Sequence, residues 1–269
     1  MSKVDNDVKD TFNYILYNDK SSGCGRVYQS SNEEIEDLYS DIDFTGKKVL
    51  SVLASGDQPL MAYLKGASKV DTFDINKLTL YYYYIRIWTM KFFHTFYPEP
   101  YLCKEYINSL LSYVKPNDEN ERNSVEYWKK ILARIEEYEL LLMFFSKSTI
   151  IHLNRNEINE LNYIISRNKP KFFNIDISKE NNIDEKYDIV ITSNIVDWVY
   201  SDNGNLAEYK KNLSKLVKPK GIILSSNIDN ERYIPCEKTF FDEDFDYREL
   251  FAKSANNLDY SPGYMYVKR

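Results

Sequence analysis

The turn Ser55-Gly56-Asp57 is the first place in the chain where residue types and spacing indicate a ligand site. Gly56 allows a close approach of the backbone to a bound molecule, because it has no Cβ. Asp57 lies where a helix N-cap is expected, and Pro59 suits the first helical positions. The free N–H groups and positive dipole end of that helix suit a carboxylate. We therefore predict that this turn binds an anionic group.

Further polar residues end the predicted strands that follow. Asp74 ends the second strand, where a carboxylate can accept both hydroxyls of a ribose. Asp176 ends the third strand and is placed to accept from an adenine amino group. Ser193 and Asn194 end the fourth strand and are expected to face the reacting atoms. Because ligands of open parallel sheets bind at the carboxyl ends of the strands, these residues predict one adenosine-binding site.

Two hydrophobic residues accompany these acids. Ile75 follows Asp74 and Ile177 follows Asp176, so both are expected to enclose the purine ring.

The elements that must position these residues are short apolar runs with β-branched residues, typical of buried parallel strands. The predicted strands span residues 48–53, 70–74, 171–177, 187–193 and 222–225, with predicted helices over 32–39, 58–65 and 205–216. Residues 217–221 are predicted as a turn, and residues 262–267 as a late edge strand. Strand, helix and strand within thirty residues predict an α/β fold, and the length fits one domain over 1–269.

A long segment at about 77–169 shows no clear strand. Helices are predicted over residues 80–96, 105–114, 124–145 and 156–166. A crossover between adjacent parallel strands needs only a dozen or so residues. We therefore predict a helical insertion after the second strand.

Composition excludes several classes of protein. Lys and Arg number 35 against 41 Asp and Glu, a net charge of −6 that argues against non-specific nucleic-acid binding. The three cysteines form no C-x-x-C pair and there are two histidines, so no metal site is predicted. Residues 1–10 lack the apolar core of a signal peptide, and the longest apolar run, 140–145, cannot span a bilayer. We expect a cytoplasmic protein, with no indication of its oligomeric state.

The order of these features resembles the class I S-adenosylmethionine (SAM)-dependent methyltransferase fold. The resemblance includes the Tyr187-Asp188-Ile189-Val190 strand and the Leu216-Val-Lys-Pro-Lys-Gly221 segment. It implies that SAM is the cofactor and that its methionine carboxylate lies at the Ser55-Gly56-Asp57 turn. A dinucleotide dehydrogenase would need G-x-G-x-x-G after the first strand, where only Gly56 is present.

A narrower resemblance rests on motifs within residues 28–200. Ser51-Val-Leu-Ala-Ser-Gly-Asp-Gln58, Gly66-Ala67, Phe73-Asp74-Ile75-Asn76 and Asp197-Trp198 look like the SAM:diacylglycerol 3-amino-3-carboxypropyltransferases of betaine-lipid synthesis and their bacterial relatives. That resemblance adds Asn76 to the cofactor site and implies transfer of the 3-amino-3-carboxypropyl group with release of methylthioadenosine. The chain is shorter and lacks an obvious basic membrane-docking surface, so a small amine, alcohol or thiol acceptor stays open beside a lipid-like one.

Two alternatives remain at this stage. One is a methyltransferase that releases S-adenosylhomocysteine (SAH), and the other is a non-catalytic SAM-binding protein. If the acceptor needs a general base, Asp197 is the first candidate and Tyr28 the second.

Overall fold

The computed structural model describes residues 2–19, 23–31, 33, 35–98, 102–145, 151–179, 181–201, 205–226, 245–250 and 263–269. The helices are α1 Lys3–Tyr17, α2 Ile35–Leu38, α3 Asp57–Leu64, α4 Lys77–Phe93, α5 Lys104–Tyr113, α6 Glu119–Leu132, α7 Glu137–Leu142, α8 Arg155–Arg167, α9 Ile195–Ser201 and α10 Leu206–Leu216. The strands are β1 Val27–Tyr28, β2 Lys48–Val52, β3 Lys69–Asp74, β4 Phe144–Phe145, β5 Phe172–Asn174, β6 Tyr187–Ser193, β7 Val217–Ser226, β8 Phe245–Leu250 and β9 Gly263–Lys268.

The chain divides into two compact units, which are described in turn. The helical unit comprises Met1–Asn32, Leu53–Gly56 and Ile75–Arg167. The sheet unit comprises Glu33–Val52, Asp57–Asp74 and Asn168–Arg269.

The sheet unit is built on seven strands in the order β5-β3-β2-β6-β7-β9-β8. The first five are mutually parallel, and β9 pairs antiparallel with both β7 and β8. The central strands are continuously apolar because they are covered on both faces, and Val49, Leu50, Val190 and Ile223 are fully buried. This strand order confirms the Rossmann-like class I SAM-dependent methyltransferase fold predicted from the sequence.

Three sequence predictions in the sheet unit were wrong in detail. β5 ends at Asn174, because the Asp176 side chain accepts hydrogen bonds from Ser178 and turns the chain out of the ladder. Residues 217–221 are no isolated turn: Val217 pairs with Tyr187, and a register shift makes the segment a bulged start of β7.

The third correction concerns the C-terminal strand. β9 is an interior strand, because β8, which the sequence did not predict, pairs with its outer side. Antiparallel pairing between strands that are distant along the chain leaves little local signal.

The helical unit contains α1 and α4–α8, together with a two-stranded parallel sheet of β1 and β4. The predicted helical insertion after the second strand of the large sheet is present as α4–α8. Two expectations here were wrong, since α1 was missed and residues 124–145 do not form one helix. The chain leaves α6 at Leu132, and a capping box of Glu136 and Glu139 starts α7 before the short strand β4.

Aromatic side chains fill the core of the helical unit. Tyr81 stacks on Tyr127 with ring centroids 3.9 Å apart, and the buried indole of Trp128 donates to the Tyr81 carbonyl oxygen at 3.0 Å. Offset stacking of this kind adds to the free energy of burial. All four tyrosines of α4, residues 81–84, are buried.

A buried carboxylate connects α1 to α4. Asp7 is fully buried, accepts from the Lys77 ammonium at 2.8 Å, and accepts from the Tyr81 hydroxyl at 2.6 Å. These two charge-assisted bonds offset the cost of removing the carboxylate from water.

Along the described helices, none is both long and apolar enough to cross a membrane.

Replacing Asp7 with Ala is expected to lower the free energy of unfolding by about 3–5 kcal/mol, because the partly buried Lys77 ammonium loses its counter-ion. Urea denaturation measures this change. Glu105→Ala, at an exposed position of α5, is the control and is expected to cost less than about 0.5 kcal/mol. A loss below about 1 kcal/mol for the Asp7 variant would contradict the role assigned to this contact.

Candidate functional site

The carboxyl ends of the parallel strands define one edge of the sheet unit. β2, β3, β5 and β6 are parallel neighbours, so the residues that follow them lie along the same edge. The predicted site residues of this unit that meet there are Asp57, Asp74, Asp176, Ile177, Ser193 and Asn194. This is the edge where ligands of open α/β sheets bind.

The turn at Ser55 and Gly56, which belongs to the helical unit, has a backbone conformation that requires glycine. Gly56 has a φ of +90° and donates from its N–H to the Leu53 carbonyl oxygen at 2.6 Å. A Cβ at Gly56 would lie 3.0 Å from the Tyr83 ring. Both the dihedral angle and the close contact therefore exclude larger side chains here.

Arg86 holds the same turn and was not found from the sequence. Its fully buried guanidinium donates to the Ser55 carbonyl oxygen at 2.7 Å and lies 4.5 Å from the ring centroid of Phe96 and 4.6 Å from that of Tyr97. From the sequence alone, an arginine within an aromatic helix looks the same whether it is buried against a turn or exposed at the surface.

Of two acids in the sheet unit, Asp74 keeps its expected position at the end of a strand, and Asp57 lies one residue further into its helix than expected. Asp57 is buried and is the first residue of α3 rather than its N-cap, because helical geometry begins one residue earlier than predicted. Asp74 ends β3 and is partly exposed, while its carbonyl oxygen accepts from Ile175 N–H at 3.2 Å and from the Asn174 amide at 2.9 Å. One backbone and one side-chain donor thus hold the strand end through its carbonyl oxygen.

Asp176 and Ile177 lie beyond β5 rather than within it. Burial alone would raise the pKa of Asp176, but hydrogen bonds from Ser178 and Lys179 lower it, so this carboxylate is ionised at neutral pH. Ile177 is buried in the sheet unit.

The neighbouring residues Ile75 and Asn76 belong to the helical unit. Ile75 is 62% exposed. Asn76 caps α4: its amide oxygen accepts from Leu78 N–H and from Gly25 N–H, each at 3.0 Å. Its amide nitrogen donates to the carbonyl oxygens of Gly25 and Arg26. The amide therefore has a structural role in this unit.

Ser193 marks the end of β6 and has a φ of +53°, unusual for a serine. Its hydroxyl donates to the carboxyl of Glu33, which is 3% exposed and was not singled out from the sequence. The Ser226 hydroxyl, at the end of β7, donates to the same oxygen of Glu33, and the Gln58 amide donates to the other at 3.4 Å. Glu33 thus joins the ends of β6 and β7 to α3.

The two candidate bases have different environments. Asp197 lies in the first turn of α9 and is partly buried, and its N–H donates to the Asn194 carbonyl oxygen at 3.1 Å. Tyr28 lies in β1 and stacks on Phe145 with centroids 4.6 Å apart. Burial raises the pKa of Tyr28, which keeps its hydroxyl protonated at neutral pH. The side chain of Trp198 lies outside the described residues.

Metal-ligating side chains do not cluster in the described part of the chain: no group of three or more His, Cys, Asp or Glu residues is placed to hold an ion.

Comparison with known proteins shows no family for this chain. No family model matches the sequence, and no curated protein matches it. Similar solved structures include the N-methyltransferase NodS from Bradyrhizobium japonicum in complex with SAH, at 7% identity, 98% coverage of both chains and a TM-score of 0.44. Magnesium protoporphyrin IX methyltransferase from Synechocystis, with bound SAM, is 12% identical over 100% of this chain and 85% of that one, with a TM-score of 0.43.

An rRNA methylase from Streptococcus thermophilus is 8% identical, covers 87% of this chain and 93% of its own, and has a TM-score of 0.42. The fold is established by the strand order of the sheet unit and not by these similarities. The narrower resemblance to aminocarboxypropyltransferases is not confirmed by these comparisons.

Replacing Glu33 with Gln is expected to stabilise the protein in a pH-dependent way. Burial raises the pKa of Glu33 above its ordinary value of 4.5, and the charge of Asp57 adds to the effect, while hydrogen bonds from Ser193, Ser226 and Gln58 oppose it. The folded state therefore binds the proton more tightly than the unfolded state, and the wild type loses stability as pH rises above about 4.5.

The neutral Gln side chain has no such loss. The variant's Tm should equal that of the wild type near pH 4 and exceed it at pH 8 by roughly 2–4 °C, the shift that about 1 kcal/mol produces in a domain of this size. Thermal denaturation at the two pH values measures the difference. A gain of equal size at both would contradict a titrating Glu33.

Proposed function

We propose that this protein is a SAM-dependent transferase whose cofactor lies along the carboxyl edge of the large sheet. The observation that carries the proposal is the partly exposed carboxylate of Asp74 at the end of β3, next to β2 in a sheet of the methyltransferase strand order. In such sheets an acid at this strand end accepts the two ribose hydroxyls.

The remaining predicted residues have complementary roles in this proposal. The cofactor-binding set is Ser55, Gly56, Asp57, Asp74, Ile75, Asn76, Asp176, Ile177, Ser193 and Asn194. The positive dipole end at the start of α3 suits the methionine carboxylate, and the ionised Asp176 suits the adenine amino group.

The reaction is an SN2 displacement at a carbon bound to the sulfonium. The bond from that carbon to sulfur breaks, its electron pair stays on sulfur, and the acceptor forms the new bond and loses a proton. Because the sulfonium is already a good leaving group, the protein mainly orients the two reactants and excludes water. Asp197 suits the base better than Tyr28, whose raised pKa favours the protonated phenol.

Two transferred groups are consistent with this chemistry. The strand order, which is that of the methyltransferase fold, is compatible with methyl transfer. The Asp197-Trp198 pair and the helices α4–α8 after the second strand favour transfer of the 3-amino-3-carboxypropyl group. A fold alone does not determine which carbon reacts. The acidic balance of the chain favours a small-molecule or lipid-like acceptor over nucleic acid.

Replacing Asp74 with Ala is expected to weaken SAM binding by about 1.5–3 kcal/mol, the scale of hydrogen bonds to a charged group. Isothermal titration calorimetry with SAM measures this loss. Asp43→Ala, in an exposed loop of the sheet unit, is the control and should leave the affinity unchanged. Equal affinities for the Asp74 variant and the wild type would place the cofactor elsewhere.

The nucleoside product distinguishes the two reactions. Incubation of the protein with SAM and a cell extract is expected to release SAH if the methyl group moves and methylthioadenosine if the aminocarboxypropyl group moves. Mass spectrometry identifies the product, and an Asp74→Ala sample subtracts background reactions of the extract. Formation of neither nucleoside above this background, with SAM bound, would favour a non-catalytic SAM-binding protein.

A further inference from the structure

A groove of about 460 Å³ on the sheet unit is lined mainly by lysine side chains. It lies between α10, the residue that precedes β6 and the last residue of β9. Five of its seven lining residues are lysines and the other two are Ala207 and Ser214, so no acidic side chain of the described residues lines it. We call it the lysine groove, and its lysines are Lys186, Lys210, Lys211, Lys215 and Lys268.

Strand direction places the lysine groove at the edge of the sheet where the parallel strands begin. Lys186 precedes β6, which runs from Tyr187 to Ser193. Lys268 ends β9, which is antiparallel to β7, so its end lies at the same edge. The candidate cofactor residues of the sheet unit, by contrast, follow the carboxyl ends of the strands. A ligand in the lysine groove therefore leaves that other edge accessible.

Three of these lysines are available to a ligand. Lys186, Lys211 and Lys215 are exposed, and none of the three makes a hydrogen bond or an ion pair within the described part of the chain. Of the acids near them in sequence, Glu185 is paired with a lysine of β2 at 2.6 Å, and Glu208 lines an adjoining groove. The lysine groove therefore concentrates positive charge on a chain whose net charge is −6.

Two lysines of α10 repel each other in the free protein. Lys211 and Lys215 are four residues apart on one helix face, a spacing at which like charges destabilise a helix. Lys268 has a structural role, because its ammonium donates to the Ser214 carbonyl oxygen at 2.6 Å and so satisfies the last turn of α10. No comparable contact among the described residues explains Lys211 and Lys215, whereas an anion between them converts the repulsion into attraction.

The kind of cation indicates the kind of anion. Lysine ammonium groups are compact point charges, whereas the planar fork of arginine matches a single carboxylate or phosphate. A groove whose only lining cations in the described chain are lysines therefore selects for the number of negative charges rather than for one planar group. Linked phosphates carry several charges close together, and the groove lies within the volume range of small-molecule sites, about 300–1,000 Å³.

A membrane surface fits the lysine groove less well. Basic elements that bind lipid surfaces combine their lysines with exposed apolar side chains that enter the bilayer. Among the described residues, the exposed large hydrophobic side chains all belong to the helical unit. Lys210 and Lys268 are also half-buried, so a compact ligand that enters the groove reaches them more readily than a flat surface does.

We propose that the lysine groove is a binding site for a compact ligand that contains two or more linked phosphates. The ligand is either an inorganic polyphosphate or the phosphate chain of a nucleotide, since both present the same charges. The groove contains none of the proposed cofactor residues, so this inference goes beyond the proposed function and does not depend on it.

Isothermal titration calorimetry in magnesium-free buffer of low ionic strength tests the proposal with inorganic phosphate, pyrophosphate and tripolyphosphate. Affinity should increase with each added phosphate and be about tenfold higher for tripolyphosphate than for phosphate, because each charge adds a Coulomb attraction. It should fall at least about fivefold at an ionic strength of roughly 0.3 M, where salt screens these attractions.

ATP distinguishes the two sources of the linked phosphates. An affinity for ATP equal to or below that for tripolyphosphate assigns the site to the phosphate chain alone. Tighter binding of ATP assigns it to a nucleotide. Both results support the proposed site.

The variant K211Q/K215Q removes two exposed charges of α10 and introduces residues that favour a helix. We expect it to bind tripolyphosphate about tenfold more weakly, and we expect no binding by K211E/K215E, whose new charges repel the ligand. K3Q/K9Q, at exposed positions of α1, removes the same charge and should retain the wild-type affinity. Tripolyphosphate should also raise the Tm of the wild type but not that of K211E/K215E.

Four results overturn the inference. The first is no binding of tripolyphosphate by the wild type at low ionic strength, and the second is equal affinity for phosphate and tripolyphosphate. The third is an equal loss in K211Q/K215Q and K3Q/K9Q, which indicates a general effect of net charge. The fourth is binding of a duplex oligonucleotide or of phosphatidylserine vesicles that tripolyphosphate does not displace. Titration of the same samples with SAM tests the proposed function separately, and its failure leaves the lysine groove unaffected.

Discussion

Parallel pairing of β2, β3, β5 and β6 is the constraint on which the rest of the sheet unit depends. Parallel strands all end at the same edge, so each polar residue that follows a strand is brought to a common line. Asp57, Asp74, Asp176 and Ser193 are distant in sequence, and each local turn alone is weak evidence. Their register in one sheet makes them a single candidate site.

Several charged side chains are removed from water and held by specific contacts between elements. Asp7 joins α1 to α4 through a lysine and a tyrosine, and Arg86 holds the turn at Ser55 from within the helical unit. Glu33 joins the ends of β6 and β7 to α3 through contacts with Ser193, Ser226 and Gln58, and burial together with the charge of Asp57 raises its pKa.

The sequence predicted helices and strands best where a run of apolar residues or a helix cap marks the element. β6 and α10 were found nearly to the residue because the first is a continuous apolar run and the second has an asparagine N-cap, Asn205. The break between α6 and α7 was missed, since apolar residues continue at helical spacing through Ile135 although the backbone turns. β8 was missed because it pairs with β9, which lies more than ten residues further along the chain, so no short hairpin turn indicates the pairing.

The sequence by itself determined the βαβ start, the turn at Gly56 and the position of Asp74 at the end of β3, because each follows from local propensity and periodicity. The tertiary structure alone decided that β9 lies inside the sheet and that Arg86 is beneath the Ser55 carbonyl. It also decided that Glu33 meets Ser193 and Ser226, which are 160 and 193 residues away. Contacts over such separations depend on strand order and packing, neither of which a local residue pattern contains.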